Sequence, residues 1–168
     1  LPLTNNDTIN GAGPVTPCPG GNVILPPVVV PPGLTLDPQT GIVSVTPGTV
    51  PGTYAVVYQI CQVSNPSVCD TVTSTIIVSP TIDAVSDTAT ITPGNPSLPL
   101  TNNDTINGAG PVTPGPGGNV ILTPVTVPEG LTLNPQTGIV SVTPGTTPGT
   151  YAVVYQICQV SNSSVCDT

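Results

Sequence analysis

The sequence predicts an all-β chain of two tandem units, and three observations carry that prediction. Apolar residues come in alternating runs rich in Val, Ile and Thr, which suit a pleated, half-buried surface. Pro (24) and Gly (18) punctuate these runs, and no helical periodicity competes with them. The strongest signal is an internal repeat: Leu1–Thr71 returns as Leu98–Thr168, an offset of 97 residues, with 64 of 71 positions identical. The seven differences set Cys18 against Gly115, Pro26 against Thr123, Val29 against Thr126, Pro32 against Glu129, Asp37 against Asn134, Val50 against Thr147 and Pro66 against Ser163. A period of this length is one whole domain per unit, not one coil of a solenoid.

Within the unit, Asn22–Val30 and Gly33–Leu36 read as strands, followed by the turn Asp37-Pro38-Gln39-Thr40-Gly41. Gly41–Thr46 alternates, a Pro/Gly breaker follows, and Thr53–Val63 is the longest apolar strand candidate. Period two puts Tyr54, Val56, Tyr58 and Ile60 on one face, which is expected to be core. All four tyrosines, including Tyr151 and Tyr155, are expected to be buried by the same alternation. The run Ser64–Ser67 turns the chain into Val68–Ser79, closing a hairpin. The domain boundary is expected at Ser79-Pro80, giving units 1–79 and 80–168, and Ile82–Thr92 is expected to be the opening strand of the second. Residues 72–97 occur once, so the first unit is expected to lack its opening strand and the second its closing one. About seven short strands per unit, spaced by turns, make an Ig-like β-sandwich the default architecture.

Composition excludes much chemistry. Quarter-content Gly and Pro is compatible with disorder, but only 5% of residues are charged and the chain is apolar on balance, the reverse of a disordered composition. Lys, Arg and His are absent and the formal charge is −8. With no cations to neutralise phosphates, neither nucleic-acid binding nor attraction to anionic membranes is expected, and no membrane insertion by this segment. Lacking imidazole and amine, the chain has no Ser/His or Cys/His nucleophile, no Schiff-base lysine and no Lys–Asn cross-link, and it is not expected to be an enzyme.

Cys61 and Cys69 recur as Cys158 and Cys166, each pair straddling a hairpin turn, so that a hairpin symmetric about Asn65 brings the first pair face to face. Two disulfides and an oxidising, extracellular compartment are the expectation, with reduced core thiols as the alternative. Cys18 has no counterpart and is read either as drift within a repeat array or as a thiol for an intermolecular disulfide.

The run from Val30 to Gln59, with its Pro-Gly-Leu-Thr-Leu, Asp-Pro-Gln-Thr-Gly and Gly-Thr-Tyr, resembles putative-Ig and dystroglycan-type cadherin-like repeats. The stretch Ile82–Thr105 is similar to the opening of bacterial cadherin-like adhesin repeats, and the whole unit is similar to repeats of giant surface proteins of Bacteroidota, including gliding-motility adhesins exported by the type 9 system. This resemblance implies a stalk or filament at the cell surface, whose partners are adjacent repeats and possible further filament copies. Animal cadherins bind calcium between domains through several Glu and Asp, whereas Glu129 is the only Glu here. Asp83, Asp87, Asp104 and Asn103 remain weak calcium candidates, and no other cofactor is expected. Bacteroidota also attach O-glycans at Asp followed by Thr or Ser and a small or aliphatic residue, which implies Thr8, Thr71, Thr88 and Thr105 as covalent glycan sites, and Thr168 as a fifth if Val follows it as Val72 follows Thr71. Asn6, Asn103 and Asn162 fit the N-linked acceptor pattern and rank second. Competing expectations are a carbohydrate- or protein-binding module, which exposed tyrosines would favour, and a filament assembled by strand exchange.

Overall fold

The computed structural model describes residues Leu1–Thr168, the side chain of Pro27 apart. It is almost entirely β, with several antiparallel sheets and only two short 3-10 turns, and it divides into compact units Leu1–Ser79 and Pro80–Thr168.

In the first unit the strands are β1 (Val23–Ile24), β2 (Pro27–Val29), β3 (Leu34–Leu36), β4 (Val43–Val45), β5 (Gly52–Gln62) and β6 (Cys69–Val78). β5 is the spine. It pairs along its whole length with β6, from Gly52 opposite Val78 to Cys61 opposite Cys69, and its other edge takes β1 and β2. β3 and β4 form a separate hairpin closed by the Asp37–Gly41 turn. There the Asp37 carboxylate accepts from the Gln39 N–H and the Thr40 hydroxyl, both at 2.8 Å, so the side chain itself builds the turn. The segment Leu1–Leu3 lies along this hairpin, with the Leu3 N–H on the Gly41 carbonyl and the Val43 N–H on the Leu1 carbonyl. Alternation then assembles the core: Leu34 and Val43 from the hairpin meet Val56, Tyr58 and Ile76 from the sheet, with Leu3 and Leu25. Tyr54 and Ile60 pack half-buried against it, as period two predicts.

The second unit holds β7 (Ile82–Asp83), β8 (Thr105–Ile106), β9 (Val120–Thr126), β10 (Leu131–Leu133), β11 (Val140–Val142), β12 (Val154–Gln159) and β13 (Cys166–Asp167). β12 lies between β13 and β9, β10 pairs β11, and β7 pairs β8. Its core is Val112, Val120, Leu122, Leu133, Val140 and Ile157, with Ile82, Ala84 and Ile106 packed against it.

Three expectations need correction. The continuous strand expected over Asn22–Val30 is broken in the first unit between β1 and β2, at Leu25 and Pro26, because proline offers no N–H to the ladder. The second unit carries Thr123 in place of Pro26, and there β9 runs unbroken from Val120 to Thr126. The strand expected over Ile82–Thr92 is only two residues long. Its next amides turn to carboxylates: the Ala84 N–H donates to Asp167 and the Val85 N–H to Asp104, each at 2.8 Å. Tyr151 is exposed, since β12 begins only at Val154, whereas Gly52–Ala55 of the first unit pair with Thr75–Val78.

Candidate functional site

Each hairpin carries a disulfide. Cys61 is joined to Cys69 and Cys158 to Cys166, both between directly opposed residues with Cα atoms 4.1 Å apart. The spacing works because four residues on either side of Asn65 or Asn162 bring the cysteines into register, and in both turns the Asn side chain caps the bend by accepting from a serine hydroxyl. Cys18 is a free, half-buried thiol lying 3.8 Å from the Gly21 carbonyl.

The most constructed polar feature is a tyrosine over an aspartate, present in both units. The Tyr58 hydroxyl lies 3.0 Å from Asp7 Oδ2 and 3.3 Å from the Leu3 carbonyl. The Tyr155 hydroxyl lies 3.1 Å from both Asp104 Oδ2 and the Leu100 carbonyl. Each pin ties the central strand to the polar 3-10 turn that opens the repeat, Thr4–Asn6 or Leu100–Asn102. Burial and the nearby Asp7 carboxylate push the Tyr58 phenol up to about 12, and burial with the Asp104 charge pushes Tyr155 up as well. Both hydroxyls therefore stay protonated and serve as donors.

Asp104 is the centre of the second unit's polar cluster and is fully buried. Its Oδ1 accepts from the Val85 N–H and its Oδ2 from Tyr155. Burial raises its pKa against these two stabilising bonds, and Asp83 and Asp167 add repulsion. Asp87 is also raised, by burial and then by the Asp104 charge, while Asn103 donates to it. The calcium candidates thus lie near one another, but the described residues include no group of three or more His, Cys, Asp or Glu arranged to hold a metal ion. Sequence reasoning missed this arrangement, because Asp104 and Tyr155 are 51 positions apart; its one trace is that the Asp and the Tyr recur together in both repeats.

The pH consequence has opposite signs in the two units. An acid whose folded pKa is raised holds its proton more tightly when folded, so the second unit gains stability as pH falls from neutral through the Asp104 and Asp87 values toward the ordinary value of 3.8. Asp37 is lowered, first by the Gln39 N–H and then by Thr40, so its contribution is present above 3.8 and is lost as pH falls below it. Its counterpart Asn134 does not titrate. Calorimetry of the chain should therefore show the second unit's transition rising between neutrality and about pH 4. Asp104→Asn should remove most of that rise; an unchanged slope in the variant contradicts the assignment.

Of the threonines that precede a small or aliphatic residue, Thr8, Thr71 and Thr88 are exposed, as is Thr168, while Thr105 is half-buried in β8. Beside Thr8 the first unit has an open groove of about 140 Å3, lined by Thr8–Asn10, Ile60–Gln62 and Val68–Asp70. No helix among the described residues is long and apolar enough to cross a membrane. No protein-family model matches the chain, and no curated protein does.

Proposed function

We propose that this chain is a structural spacer: tandem Ig-like β-sandwich units forming part of the stalk of an extracellular, cell-surface filament or adhesin, with no catalytic role. One observation carries the reading. A sequence repeated at 64 of 71 positions recurs in three dimensions as the same spine strand, the same Tyr–Asp pin and the same hairpin disulfide, in units with their own apolar cores. Such repetition supports a length-setting part. The two disulfides fit an oxidising environment and thereby support an extracellular setting. The likeness to surface repeats of Bacteroidota supports the same role, with export by the type 9 system. The surface has almost no charge to solvate it, which supports O-glycans at Thr8, Thr71, Thr88 and Thr168, and at Thr105 if the sugar is added before β8 pairs.

Single-molecule stretching tests the mechanical claim. Each unit should unfold in its own event, and reducing the disulfide should lengthen each step, since the loop it closes spans a sequence separation of 8. At ~3.6 Å per residue the gain is about 30 Å per unit. Extension without discrete events contradicts the spacer. Mass spectrometry of peptides from the native protein tests the sugars, and unmodified Thr8, Thr71 and Thr88 would remove them from the account.

A further inference from the structure

Alternation gives the spine sheet of the first unit two faces. The residues of β5 that stay out of the core, Ala55, Val57 and Gln59, look outward, and direct pairing sets Thr75, Thr73 and Thr71 of β6 beside them on the same side. One end of this face carries Ile77, 74% exposed. Its far edge carries Val29, opposite Val57, and Ile24, opposite Cys61, at 52% and 43% exposure. The Gln59 amide nitrogen lies 3.5 Å from the Thr71 hydroxyl across the strands, so part of the polar surface is turned on itself. The remainder is threonine and aliphatic side chain. The second unit keeps the same face open along its own spine, with Ile121 exposed opposite Cys158 and Thr123 exposed opposite Gln156.

No charge falls on this face. The first unit has three carboxylates. Asp7 is held by the Tyr58 hydroxyl, Asp37 builds the β3–β4 turn, and Asp70 pairs with Ile60 in the row that looks to the other side of the sheet. Two copies of a chain with a formal charge of −8 and no cation repel wherever carboxylates approach. The outer face is therefore a surface on which copies make apolar contact without burying an unpaired charge. Its size sets the strength of that contact. A spine of eleven residues is ~36 Å long at ~3.3 Å per residue, and three strands at ~4.8 Å make it ~14 Å wide. The footprint is about 500 Å2 per copy, or about 1,000 Å2 for a pair, which is the lower bound for a specific interface. One pair of faces is weak, and repeats in series multiply it through effective concentration.

We propose that the outer face of β5 and β6 is a self-association surface, on which a second copy of this chain stacks the same face, sheet on sheet. The contact is isologous: the β6 threonine row and Ile77 of one copy meet the aliphatic edge at Val29 and Ile24 of the other, with the sheets about 10 Å apart. Thr71, a candidate for an O-linked sugar, stands within the face, so a sugar there and stacking exclude each other, and it is the unmodified chain that pairs. The inference goes beyond the spacer reading and does not rest on it, because pairing of copies is measured on the chain itself whatever its role.

The test uses the full 168-residue chain, made without sugars and with Cys18→Gly to remove its free thiol. Sedimentation equilibrium is followed from about 10 μM to 1 mM, the range suited to a weak interface of this size, at about 0.05 M and 0.5 M salt. The expected result is a reversible monomer–dimer equilibrium that tightens several-fold at the higher salt, because screening relieves the repulsion between copies. Thr73→Asp sets a carboxylate against its own copy at the centre of the face and should weaken the dimer about tenfold or more. Val29→Thr installs the residue that the second unit carries as Thr126, so it is compatible with the fold, and should weaken the dimer less by removing apolar area alone. Thr35→Asp, exposed on the β3–β4 hairpin, is the control and should leave the dimer unchanged. Thermal melts confirm that each variant is folded. A chain that stays monomeric throughout overturns the proposal. So does a dimer that salt dissociates, one that Thr73→Asp leaves intact, or one that Thr35→Asp weakens as much.

Discussion

Asp104→Ala should destabilise the second unit by roughly 3 kcal/mol, the largest loss expected from any single side-chain truncation outside the apolar core. The substitution leaves the Val85 N–H without its acceptor and takes one of two partners from the Tyr155 hydroxyl. Val85 is itself exposed and its bond only part-buried, so the orphaned N–H costs toward the lower end of about 1–3 kcal/mol, and the emptied volume at the fully buried Asp104 supplies the rest. Relief of repulsion from Asp83 and Asp167 works the other way. The orphan term wins, because the carboxylate's neighbours are themselves partly solvated while the amide is held in place by β7. Asp104→Asn separates the two effects. It keeps an oxygen for Val85 and removes the charge, so it should cost far less than alanine. Chemical denaturation followed by hydrogen exchange at Ala84 and Val85 is the measurement; equal costs for the two variants would contradict this account of the pin.

Gly118→Ala, and equally Gly21→Ala, should cost about 3 kcal/mol, at the upper end of what forced overpacking produces. A Cβ on Gly118 would fall inside the Thr113 carbonyl oxygen, and one on Gly21 inside that of Thr16. Neither carbonyl can withdraw easily. Thr113 O accepts from the N–H groups of both Asn119 and Val120, and the Asn119 side chain returns a bond to the Thr113 N–H at 2.7 Å. This loop sets the start of β9, so a shift there displaces the strand that carries the buried Val120 and Leu122. Gly117→Ala is the control. Its Cβ meets open space and the residue is strained only by its positive φ of 78°, so about 1 kcal/mol is expected. Thermal melts of the three variants decide it, and a Gly118 variant no worse than the Gly117 variant would show that the loop yields.

Much of the fold was legible because local pattern and repetition agree. The alternation of Tyr54, Val56, Tyr58 and Ile60 named the core face of the spine strand, and the Asp37–Gly41 turn announced the β3–β4 hairpin. What could not be read required distant partners. The ladder after Asp83 ends because carboxylates from positions 104 and 167 take the next amides, a competition invisible in the local sequence. The tyrosines were assigned by alternation alone, which presumes a paired strand; Tyr151 lies outside one and is exposed. The Pro26–Thr123 difference was visible as a substitution, but its effect on the ladder emerges only from comparing β1 and β2 with β9.

The spacer claim is tested most directly by small-angle X-ray scattering on chains of two, four and six repeats. The spine strand has eleven residues, which at ~3.3 Å per residue spans ~36 Å. With loops, the account predicts a maximum dimension that grows linearly, by about 40 Å for each repeat added. A dimension that grows only as the cube root of the number of repeats, as it must for units gathered into a compact particle, would contradict it.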